Sequence, residues 1–110
     1  MNSMKAAPVI TMPPAIARHV ARDASAHPDP GMHALAHAVT QQLHPARTVT
    51  LTLAPRDLHD VHCLLLEFAI DLADGFLSTA DCGFTLAEVQ KTIDAHEHFL
   101  HIHATQRNLH

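Results

Sequence analysis

Residues 55–77, PRDLHDVHCLLLEFAIDLADGFL, form the longest apolar run of the chain, and their reading decides the fold. Leu58, Val61, Leu65, Phe68 and Leu72 recur at steps of three and four, which aligns them along one stripe of a 3.6-residue helix. Leu66, Ala69, Ile70, Ala73 and Phe76 widen that stripe, and a helix apolar over so much of its girth is expected to be surrounded by partners. Pro55 suits the first helical position, where its missing N–H is not needed. Asp57 and Asp60 sit in the first turns, where the helix dipole favours them. Asp60, Glu67, Asp71 and Asp74 fall within roughly 60° of one another, so one face stays wet and a membrane span is excluded.

A second long helix is expected from Leu86 to about Gln106. Thr85 and Glu88 have the spacing of a capping box, in which the hydroxyl and the carboxylate each close a free N–H of the first turn. The seam that follows, Leu86, Val89, Ile93, His96, Leu100 and His103, steps by three and four like that of the first helix, with Phe99 and Ile102 beside it. Matching seams predict an antiparallel helical hairpin. Between the two, Gly75 kinks or ends the first helix, and residues 78–83 read as a connection.

All seven prolines lie at or before Pro55, so the first half of the chain is the irregular one. Pro8, Pro13 and Pro14 confine residues 8–12 to an edge strand or extended arm. Residues 15–26 form a short helix with Ile16, Val20 and Ala24 inward and Arg18 and Arg22 outward. Asp29 then caps an amphipathic helix over residues 31–44, with Pro30 behind the cap and Met32, Leu35, Ala36, Val39 and Leu43 as its apolar stripe. Residues 48–53, TVTLTL, alternate β-formers and read as a strand, Val49, Leu51 and Leu53 on one face and Thr48, Thr50 and Thr52 on the other. A strand needs a ladder. Its mate is either the proline-bound N-terminal run or the same strand of a second subunit, and the shortness of the former favours the latter.

The expected architecture is mostly α: a small helical bundle around a long central hairpin with one or two short strands, α+β being the variant, assembled as a dimer. Residues 1–14 would be an arm and residues 15–110 one helical domain. Val49, Leu51, Leu53, Leu66 and Ile70 are the expected interface residues. A strand followed by two helices, as in residues 47–100, resembles the ribbon-helix-helix DNA-binding fold. That resemblance implies that Thr48, Thr50 and Thr52, flanked by Arg47 and Arg56, would enter the major groove. Charge opposes it, because from Arg56 onward three basic residues face nine acidic ones.

Twelve of 110 residues are histidine. An Ala-rich, Tyr-free composition that prefers Arg to Lys is that of a GC-rich genome, which accounts for the excess without function. The functional accounts are pH sensing and metal binding. Asp94, His98 and His101, within roughly 60° on the last helix, are the first candidate ligand set for Zn²⁺ or Ni²⁺, no cofactor being required by the fold. His59 with Cys63, beside His62, is a second set, and His33 with His37 a third. No HExxH pattern or glycine-rich phosphate loop is present, and Cys63 with His59 lacks a third orienting group, so no catalytic residue is assigned. Two cysteines, with Cys63 expected inside the hydrophobic helix, and an N-terminus without a seven-residue apolar run suggest a reducing, cytoplasmic setting. The reading is a non-enzymatic protein-interaction module, of adaptor, chaperone or inhibitor type, that binds itself and another protein.

Overall fold

Pro55 opens the central helix and Gly75 closes it, the glycine taking the left-handed conformation (φ 84°) that a side chain resists. The computed structural model describes the backbone of residues 9–108 and the side chains of residues 9–97. The loose terminus expected before Val9 and the seam positions Leu100 and His103 lie outside the described residues and side chains. In chain order the elements are β1 (Val9–Met12), α1 (Pro14–Ala26), α2 (Pro30–Gln42), β2 (Val49–Thr52), α3 (Pro55–Asp74), α4 (Thr79–Cys82) and α5 (Leu86–Asn108). The protein is mostly helical with one two-stranded antiparallel sheet.

Two helical hairpins enclose the core. In the first, α1 lays Ile16, Ala17, Val20, Ala21 and Ala24 against Met32, Leu35, Ala36 and Val39 of α2. Alanines on both sides let the helices approach closely, and theirs is the broadest helix contact among the described residues. Asp29 caps α2 as expected, its Oδ1 accepting from the Gly31 N–H at 2.9 Å. In the second hairpin α3 packs against α5 through Leu58, Val61, Leu65 and Phe68 facing Val89, Ile93 and His96. The capping box also forms. Glu88 Oε1 accepts from the Thr85 N–H at 2.9 Å, and Thr85 Oγ1 accepts from the Glu88 N–H at 3.1 Å. The connection expected at residues 78–83 contains one short helix, α4, which Ser78 caps and Gly83 ends at φ 86°.

The mate of the second strand differs from the expected one. β2 pairs with β1 of its own chain, Met12 opposite Val49 and Val9 opposite Thr52. The preference for a second subunit as its mate is therefore corrected. Ile10, Met12, Val49, Leu51 and Leu53 are all buried, so Val49, Leu51 and Leu53 belong to the core within the chain. On the other edge of β2, the Thr52 end is capped by a side chain. Gln42 Oε1 accepts from the Thr52 N–H at 2.8 Å while its Nε2 donates to the Thr52 carbonyl at 3.3 Å. The amide imitates a neighbouring strand at that residue of the four-residue strand. With β2 mated inside the chain and two helices ahead of it, the arrangement is not that of a ribbon-helix-helix protein.

The expectation that α3 is wrapped on all sides is also corrected. Leu66 is 40% exposed, Ile70 57% and Phe76 83%, and Cys63, expected inside, is exposed. Among the described residues, no helix is long and apolar enough to cross a membrane.

Candidate functional site

The outer side of α3 is the feature the core does not consume. His59, Cys63, Leu66, Ile70 and Ala73 are all exposed and follow one another at steps of four, three, four and three. At about 100° per residue they make a second seam on the side turned away from the buried one. Asp60, Glu67 and Asp74 recur every seven residues along one border of this seam. Beyond the other border lies Glu97 of α5, exposed and 4.0 Å from His62. At the start of α3 the carboxyl of Asp57 is held above its ordinary range, by burial first and by Asp60 next, with Arg56 acting against them. The helix thus carries five carboxylates and one cation, Arg56.

Beneath this surface, between α3 and α5, two imidazoles stack. The rings of His62 and His96 lie 5.2 Å apart and are tilted by 13°. His96 is fully buried, and its Nε2 meets the Leu58 carbonyl at 2.6 Å. A carbonyl only accepts, so the proton is on Nε2 and the ring is the neutral tautomer with a bare Nδ1. That Nδ1, like Nδ1 of His62, has no partner among the described residues. Burial pushes the His96 pKa down to about 4; the bond to Leu58 acts in the opposite direction, and His62 adds to the lowering. His62 Nε2 is 4.0 Å from Glu97 Oε2, an ion pair only when His62 is protonated. Rings stacked face to face send their lone pairs along parallel planes and not to one point, so the pair does not make a chelate.

The sequence-based ligand sets fare as follows. Asp94 is exposed on α5, while the side chains of His98 and His101 lie outside those described. His59 Nε2 and Cys63 Sγ stand 3.8 Å apart on the outer seam, without a third group to orient them. His33 and His37 do not converge. His33 Nε2 bonds the His27 carbonyl, and His37 pairs with the Gln41 amide at 3.1 Å. Among the described residues no three His, Cys, Asp or Glu side chains gather as metal ligands.

Several histidines have plain structural work. His27 Nδ1 accepts from the Asp29 N–H and His44 Nδ1 from the Ala46 N–H, each at 3.1 Å. His19 stands edge-on to Phe68 and Phe84, with centroids 4.7 and 5.4 Å away. Sequence reasoning placed His96 on the packed seam but missed His62 as its stacking partner; the signal was the position of His62, one turn after Leu58 on the border facing α5. It also missed Gln42, which carries no pattern that would announce a strand-capping amide.

No protein-family model, no curated protein and no solved structure matches this chain.

Proposed function

We propose that this chain is a non-enzymatic protein-binding module whose docking face is the outer side of α3. The observation that carries the reading is the exposure of Leu66 and Ile70, at 40% and 57%, on a helix whose inner seam is already filled by α5. Contiguous apolar side chains bordered by charge are the usual make-up of an interaction site on a soluble domain. Of the interface residues read from the sequence, these two remain available; Val49, Leu51 and Leu53 are consumed by the core. Chemistry is less well supported, because the thiol and imidazole of Cys63 and His59 sit in the open with no group to hold or activate them.

The test is affinity purification from the native cell with the wild-type chain and a Leu66→Ser/Ile70→Ser variant. Both positions face solvent, so the variant should keep its helical spectrum and melting behaviour. A polypeptide retained by the wild type and lost by the variant supports the docking face; the same polypeptides recovered with both refutes it.

A further inference from the structure

Resting on that reading, we infer that the occupant of the outer α3 seam is a basic amphipathic helix, apolar along one stripe and carrying Lys or Arg at seven-residue intervals beside it. The seam residues His59, Cys63, Leu66, Ile70 and Ala73 have the alternating four-three spacing that lets a second helix lie along the first at a shallow angle. In such packing the positions flanking the seam face the partner's flanking positions and choose its charge. Here one flank is Asp60, Glu67 and Asp74, an uninterrupted acidic line. Across the His62 border, Glu97 of α5 adds a further carboxylate, 4.0 Å from His62. Among the described residues, His59 on the seam and His62 on its inner border are the titratable nitrogens at the site, and no Lys or Arg of α3 stands beside the stripe after Arg56.

The same arrangement weighs against a second copy of this chain. Antiparallel pairing of two α3 helices about a twofold axis sets the line Asp60, Glu67, Asp74 against itself, carboxylate facing carboxylate. Parallel pairing sets it against His62 and Ala69, which offer no permanent cation. A cationic helix satisfies the line in either direction, and the acidic field favours its approach.

Two synthetic helices of about three heptads, with identical leucine seams and either Lys or Glu at the flanking positions, would be titrated against the full chain by fluorescence anisotropy near pH 7.5. The Lys peptide should bind about tenfold or more tightly than its Glu twin, as expected of three ion pairs at a rim, and should weaken with added salt. The triple reversal Asp60→Lys/Glu67→Lys/Asp74→Lys should invert the preference. The milder Asp60→Asn/Glu67→Gln/Asp74→Asn, which perturbs the helix less, should abolish it. Equal binding of the twins, or a preference untouched by both variants, overturns the basic-helix inference and leaves the docking face standing. Binding of neither peptide also overturns it, while the purification experiment still judges the face on its own. Sedimentation showing a dimer of the wild-type chain that Ile70→Ser dissolves overturns it in favour of self-association.

Discussion

Lowering the pH should loosen the α3–α5 hairpin through His96. In the folded chain this ring titrates at about 4, and in the unfolded chain at its ordinary value of 6.5. Between those values the unfolded chain binds more protons than the folded one, so stability falls as the pH falls. The contribution is intact above 6.5, and the loss is complete once the pH is below about 4. The full span is worth about 3 kcal/mol, and the part between pH 7 and pH 5 about 2 kcal/mol. For a domain of this size that lowers the melting temperature by roughly 8 °C. The structural cause is specific. The proton must enter at Nδ1, which is buried and finds no acceptor among the described residues, beside a stacked imidazole. Thermal and urea unfolding, followed by circular dichroism from pH 7 to pH 5, would be run on the wild type and on His96→Leu, a replacement of similar bulk. The wild type should lose the stated stability and the variant should lose correspondingly less. The ring can also be watched directly by NMR. Equal pH dependence in the two proteins, or a His96 ring titrating at its ordinary value in the folded chain, would refute the reasoning.

Other outcomes follow from the packing and the caps. Phe68→Ala removes a buried ring wedged between His19 and Phe84 and should cost about 3–5 kcal/mol, read as a large drop in the urea midpoint; a drop under about 1 kcal/mol would deny its place in the core. Gln42→Ala strips both hydrogen bonds from Thr52 and should cost about 1 kcal/mol; an unchanged midpoint would show that the amide does not hold the strand edge. If Asp94, His98 and His101 hold Zn²⁺ or Ni²⁺, either ion should raise the melting temperature of the wild type and leave His98→Ala/His101→Ala unmoved. An equal response in both proteins discards that site.

The helices and their ends were written in the sequence by itself. Leu58, Val61, Leu65 and Phe68 announce a buried stripe because helical periodicity is a property of neighbours three and four apart. Asp29, Thr85 and Glu88 announce helix starts because a cap is a hydrogen bond within a few residues. Even the burial of His96 was legible, as a polar residue on an apolar seam. Tertiary structure alone decided what crosses the chain. Both candidate mates of β2 fitted the pattern of alternation, and its pairing with β1 and its closure by Gln42 depend on how the α1–α2 hairpin brings distant segments together. Leu66 and Ile70 read as part of one broad apolar girth, since periodicity gives the direction of a side chain but not whether anything lies there. Only the placement of α5 along one side of α3 leaves the other side open, because a single helix can cover only one stripe of another.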